Sequence, residues 1–116
     1  MVLIKTYNFI TKNFMHKSID WCAGLFEGEG YLDTYGGYLR LAIEMTDRDV
    51  LEDFAAVFPG GTWYTRKRKD HWKETHRYQI SKQALAKKAL TSMLPLFGNR
   101  RAHKALDVLD HLELQT

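Results

Sequence analysis

Cysteine and proline are nearly absent: one cysteine and two prolines in 116 residues. A single thiol, Cys22, excludes an internal disulfide framework and a cysteine-rich zinc site, and suits a reducing, intracellular setting. No apolar run approaches the roughly 20 residues that span a bilayer, so no membrane partner is expected. The opening stretch MVLIKTYNFITKNF is too polar and too interrupted to be the apolar centre of a secretory signal. No internal repeat is visible, and no Lys or Arg occurs between Lys17 and Arg40.

What remains is ordinary for one folded domain. The hydrophobic share is 45% and the aromatic share 13%, which argues against global disorder. Residues 1–17 read as an N-terminal extension, with Met15 a second candidate start, and 18–116 as the domain. The net charge of +3 hides an uneven distribution. Residues 19–60 hold nine acidic side chains against Arg40 and Arg48, whereas 61–81 hold six basic ones against Asp70 and Glu74. A basic face commonly meets a polyanion, although a solvated charge run has the same composition.

Hydrophobic periodicity supplies the elements. Ser18 or Asp20 caps a helix over 19–27, stopped by Gly28 or Gly30. Gly36-Gly37 joins two strands, the second alternating Leu39, Leu41, Ile43 and Met45 with Tyr38, Arg40, Ala42 and Glu44. TDRD at 46–49 resembles a capping box opening a helix with Val50, Leu51, Phe54, Val57 and Phe58, closed by Pro59-Gly60-Gly61. A second hairpin, TWYTRKR and THRYQIS, follows. Ser81 caps a helix through Met93, and a last helix over 99–114 carries Ala102, Ala105, Leu106, Leu109 and Leu112. The order α-β-β-α-β-β-α-α predicts an α+β fold: an antiparallel four-stranded sheet backed by helices.

The sheet's other face would carry Tyr38, Arg40, Tyr64, Arg66, Arg68, Arg77 and Gln79. Arg forks reach guanine edges or phosphates and Gln pairs with adenine, so double-stranded DNA is the expected partner. A solvated antiparallel sheet is the plainer reading. Against it, Arg66 and Arg68, with Arg77 across the hairpin, would set like charges together, which is destabilising. His71, His76, His103 and His111 form no close pair with cysteine partners, so zinc is not expected.

The stretch WCAGLFEGEGYL, 21–32, ends a helix on two carboxylates, Glu27 and Glu29, where the macrodipole disfavours them. Gly24 inside the helix costs about 1 kcal/mol relative to Ala. Packing against the domain's own core would explain it; so would close approach of a second helix at Ala23 and Gly24. In the second case two Glu29 side chains meet at the helix ends and need a cation between them.

CAGLFEGEG, 22–30, resembles the nine-residue signature of the LAGLIDADG homing endonucleases, with Ala23, Gly24, Leu25 and Gly30 in place and Glu27 and Glu29 at the acidic positions. PLFGNRR, before the last helix, resembles the segment that holds the family's basic active-site residue. The resemblance covers about 19–113 and implies a site-specific double-strand DNA endonuclease that uses Mg²⁺ (or Mn²⁺) and serves intron mobility. It makes Glu29 the metal ligand and a catalytic residue, Asp47 a catalytic position that organises solvent or metal, and Arg100, with Arg101 beside it, the charge stabiliser. One motif implies a homodimer through the helix 21–28, with Ala23, Gly24 and Glu27 at the interface and a near-palindromic target. Glu in place of the commoner Asp makes both acidic side chains longer, and Asp47 could instead cap the second helix. A DNA- or RNA-binding module of the same fold, without cleavage, is the alternative function.

Overall fold

The computed structural model describes residues 17–67 and 73–114, which fold as α1 (Ile19–Glu29), β1 (Gly30–Tyr35), β2 (Tyr38–Met45), α2 (Arg48–Val57), β3 (Thr62–Arg66), β4 (Thr75–Ile80), α3 (Gln83–Met93), a 3-10 turn (Leu94–Leu96) and α4 (Asn99–Leu114). The extension up to residue 16, and Arg68 and His71 in the second hairpin, lie outside the described residues. Among those described, no helix is long and apolar enough to cross a membrane.

Helix α1 starts where Ser18 leaves extended backbone, its hydroxyl accepting from the Trp21 N–H at 3.0 Å. It runs two residues beyond the expected Glu27, and β1 begins at the next residue. Gly30 stops it with an ordinary φ of −78°, so no left-handed turn is involved. The glycine is there for space: a Cβ would run into the Phe26 carbonyl oxygen and ring. Cys22, Ala23 and Phe26 form the buried side of α1, while Gly24 and Gly28 face outward with nothing within 4 Å of a Cβ built on either.

Gly36 and Gly37 both have positive φ, 58° and 85°, as a two-residue turn of mirror-image type requires. That turn fixes the register Tyr35↔Tyr38, Asp33↔Arg40 and Gly30↔Ile43. The sheet order is β1-β2-β4-β3, with the two hairpins joined by the antiparallel pair β2·β4. Where β4 ends, the Gln83 side-chain amide continues the ladder, accepting from the Leu39 N–H at 2.8 Å and donating to the Leu39 carbonyl at 3.0 Å.

One sheet face is dry. Leu32, Leu39, Leu41, Ile43, Tyr78 and Ile80 meet Leu51 and Phe54 of α2 and Ala86, Ala89, Leu90 and Met93 of α3. Phe26 lies between Phe54 (6.5 Å between centroids) and Phe97 (5.9 Å), tying α1 to both ends of the helical layer. Tyr78 buries its ring and keeps its hydroxyl bonded, donating to the Phe58 carbonyl at 2.6 Å and accepting from the Gly61 N–H at 2.9 Å. It thereby clamps the turn between α2 and β3.

Several local expectations give way. Ser81 does not cap α3: Lys82 holds that position without a side-chain cap, and the Ser81 hydroxyl accepts from Gln79 Nε2 at 3.0 Å. The capping box at 46–49 does not form. Asp47 occupies the cap position of α2 by its backbone, but its carboxylate makes no cap bond. Leu106 points outward, 46% exposed, whereas Ala105 and Leu112 of α4 are buried.

Candidate nucleic-acid interface and active site

Strand alternation puts Tyr31, Asp33 and Tyr35 of β1, Tyr38, Arg40 and Glu44 of β2, Arg77 and Gln79 of β4, and Tyr64 and Arg66 of β3 on the face opposite the core. Six of the seven residues expected there are on it; the seventh, Arg68, is not among the described residues. Arg77 does not stand beside Arg66. It faces Tyr64 on one side and Glu44 on the other, and Arg66 faces Thr75, so Arg66 and Arg77 are diagonal neighbours on one face rather than directly opposite.

The face is less purely basic than the expectation. Asp33 receives Arg40 through two bonds, Nε to Oδ1 at 2.9 Å and Nη2 to Oδ2 at 2.7 Å. The hydrogen bonds from Arg40, above all, hold the Asp33 carboxyl below the usual carboxylate range against the opposing effect of partial burial. Arg77 Nε donates to Gln79 Oε1 at 3.1 Å. Among the described residues Tyr35 and Tyr38 are the most open aromatics, 71% and 64% exposed.

Depressions break this face among the described residues. One, of about 350 Å³, is lined by Glu44, Tyr64, Thr65, Arg66, Arg77 and Gln79. Another, of about 320 Å³, is lined by Tyr35, Tyr38, Leu39, Arg40, Gln79 and Ser81. Sequence reasoning missed the β1 contribution of Tyr31, Asp33 and Tyr35, although Leu32 between them gave the same period-two signal as β2.

At one end of the sheet lie the element ends that carry Glu29, Asp47 and Arg100. Glu29 is the last residue of α1, exposed, with no hydrogen bond or ion pair among the described residues. Asp47 lies two residues beyond Met45, at the end of β2 adjacent to the start of β1. Arg100 is exposed in the first turn of α4. The first turn of α4 is held to α1 by its neighbour Arg101, whose Nη2 donates to the Glu27 carbonyl at 3.0 Å and the Gly30 carbonyl at 3.2 Å. Burial and the charge of Arg100 lower the Arg101 pKa, and Glu27 acts in the opposite direction.

Glu27 itself points within the protomer, Oε1 accepting from the Gly98 N–H at 2.7 Å. A Cβ at residue 98 would lie 2.6 Å from that oxygen, which explains the glycine in PLFGNRR. Ala23 is also turned into the protomer's own core, 1% exposed. The outward small-residue stripe is therefore Gly24 and Gly28.

No group of three or more His, Cys, Asp or Glu able to hold a metal occurs among the described residues. The donors at this end are carboxylate oxygens, the class that suits Mg²⁺ or Mn²⁺, which are commonly held by one or two carboxylates together with phosphate oxygens and waters. A site built on Glu29 would draw further oxygens from phosphate, water or a neighbouring carboxylate.

No protein-family model matches the chain, and no curated protein matches it by sequence. Solved structures do. The homing endonuclease I-CvuI, in complex with the I-CreI target in the presence of 2 mM Mg with the DNA not cleaved, superposes with a TM-score of 0.60 at 19% identity, covering 82% of this chain and 65% of that one. I-CvuI with its own target and 2 mM Ca gives 0.61 at 20% identity over the same shares. The group I intron-encoded homing endonuclease I-CeuI, complexed with DNA, gives 0.63 at 17% identity, covering 97% of this chain and 68% of that one. The chain thus spans just under two thirds of the I-CvuI length, and it has the LAGLIDADG homing-endonuclease fold.

Proposed function

We propose that the protein is a homodimeric, site-specific double-strand DNA endonuclease that uses Mg²⁺ (or Mn²⁺) to hydrolyse phosphodiester bonds in a long, near-palindromic site. One observation carries this reading. The exposed Glu29 carboxylate stands at the tip of a helix whose outer face is Gly24 and Gly28, on the fold of DNA endonucleases and beside a sheet face of arginine, tyrosine and glutamine.

A second copy laid against Gly24 and Gly28 brings the two α1 tips together, since a two-fold axis relates like to like. Each tip would contribute one Glu29 carboxylate to hold the cation. The divalent ion, when bound, supplies charge stabilisation at the phosphate and a water of lowered pKa. Arg100, exposed in the first turn of α4, would offset the added negative charge of the transition state. Asp47, its carboxylate not used for capping, orients solvent or the ion. The two open sheet faces then lie in major grooves on either side, with Tyr38, Arg40, Tyr64, Arg66, Arg68, Arg77 and Gln79 toward the bases and phosphates. A role in intron mobility, and a place inside the cell with the DNA, follow from that activity.

The test is selection of bound duplexes from a randomised library, then incubation of the enriched DNA with and without Mg²⁺. Double-strand cuts at a near-palindromic site, only with the ion, are expected. Enrichment without ion-dependent cutting would leave a DNA-binding module and remove the nuclease; no enrichment would remove both DNA-binding readings.

A further inference from the structure

The Arg40 guanidinium carries five N–H donors in one plane. Two are taken by Asp33, directly opposite it in the β1·β2 register. Asp33 Oδ2 in turn accepts from the Tyr31 hydroxyl at 2.8 Å. The Tyr35 ring lies 5.1 Å and the Tyr31 ring 5.8 Å from the guanidinium carbon. The fork is therefore held on one edge and beside two aromatic rings before any ligand arrives.

What lies outside the ion pair is the far edge of the fork: both Nη1 protons and the second Nη2 proton. Two parallel donors match the O6 and N7 acceptors that guanine presents in the major groove, whereas adenine places an amino donor where guanine has O6. Arg40 also lines the depression of about 320 Å³ shared with Tyr38 and Gln79, so a base edge has space beside it. The neighbouring carboxylate makes a phosphate contact unfavourable. A net-neutral Arg–Asp pair attracts a polyanion weakly, and its value lies in direction.

We propose that Asp33 is a specificity-determining positioning residue, which braces Arg40 so that Arg40 reads one guanine in each half-site. This rests on the DNA-recognition reading above and adds to it one residue, one base and a mechanism. Tyr31 supports the same arrangement, its hydroxyl donating to the Oδ2 that also accepts from Arg40 Nη2.

The experiment is selection from a randomised duplex library with the wild-type chain, Arg40→Lys and Asp33→Asn, followed by competition binding at each half-site position. The wild type should enrich guanine at one position per half-site. Arg40→Lys keeps the charge but loses the fork, and should reduce the preference for guanine there by about 10- to 100-fold. Asp33→Asn should weaken the same preference while raising affinity for unrelated DNA, because it removes a negative charge from the face. A merely structural role for Asp33 would lower binding to all sequences together, and that outcome overturns the proposal. So does a wild-type site in which neither variant alters the preference at any position. A wild-type chain that enriches no DNA overturns the proposed function, and this inference with it.

Discussion

Arg101 donates to the main-chain carbonyl of Glu27 at 3.0 Å from 74 residues further along the chain. The carbonyls at a helix C-terminus carry its negative partial charge, and α1 has no basic residue in its own last turn. The apparent misplacement of Glu27 and Glu29 is thus met from α4. Arg101 satisfies two carbonyls flanking Glu29, and Gly98 satisfies the Glu27 carboxylate. Glu29 is left at a helix tip fixed on both sides.

Removing that support has a calculable cost. Arg101→Ala abolishes hydrogen bonds from a charged donor and a favourable helix-end charge, together about 2 kcal/mol. Denaturant melting should show this loss. Arg101→Lys, which keeps the charge without the fork, should recover only part of it. Cleavage by Arg101→Ala should fall more than DNA binding does, because the sheet face is untouched. An equal fall in both would confine Arg101 to stability.

Gly24 offers a sharper separation of the protomer from its pair. A Cβ there has nothing within 4 Å, so Gly24→Ala should stabilise an isolated protomer by up to about 1 kcal/mol through helix propensity. At the proposed two-fold contact the same methyl, present twice, holds the helices apart. Sedimentation should show Gly24→Ala weakening the dimer, and Gly24→Leu abolishing it, while dilute protomer melts higher for Gly24→Ala. A dimer indifferent to Gly24→Leu would move the interface to another surface.

Glu29→Gln keeps the side chain's length and removes its charge. With several kcal/mol of transition-state stabilisation lost, cleavage should fall by about a thousandfold or more. DNA affinity measured in EDTA should hold or rise slightly, since a negative charge near phosphates has gone. Cleavage that survives this change would take Glu29 out of the chemistry.

Features set by local rules were legible in the sequence. Gly36-Gly37 dictated a two-residue turn, and the turn dictated the register. Asp33↔Arg40 was therefore within reach, but the count of charges pooled both residues in 19–60, and only Arg40 was carried onto the sheet face. Ala23 and Gly24 differ by one residue, about 100° around a helix, and only the direction of the core decides which is buried. Arg101 against Arg100 has the same ambiguity, compounded by the sequence distance to Glu27. Asp47 shows the opposite case. Its position as a cap is local and was readable; the direction of its carboxylate is not.

Alkaline pH provides a test of the core itself. Burial, with the Asp53 charge adding to it, pushes the Cys22 thiol from its ordinary 9.0 up to about 12. Burial also raises the Tyr78 hydroxyl, partly offset by the hydrogen bond from Gly61. Both groups hold their protons more firmly in the folded chain than in the unfolded one. Their contribution to stability is therefore complete below pH 9 and is lost as the pH climbs toward the folded values, at up to about 1.4 kcal/mol per pH unit for each group. Cys22→Ala should flatten the fall above pH 9, whatever its packing cost at pH 7. Tyr78→Phe should flatten it above about pH 10 and also lower stability at pH 7 by about 1–3 kcal/mol, because the Phe58 carbonyl and the Gly61 N–H lose their partner. Urea titrations at half-unit steps from pH 7 to 11 measure both slopes. An unchanged slope in both variants would assign the alkaline loss to other groups and leave Cys22 and Tyr78 without the linkage their burial demands.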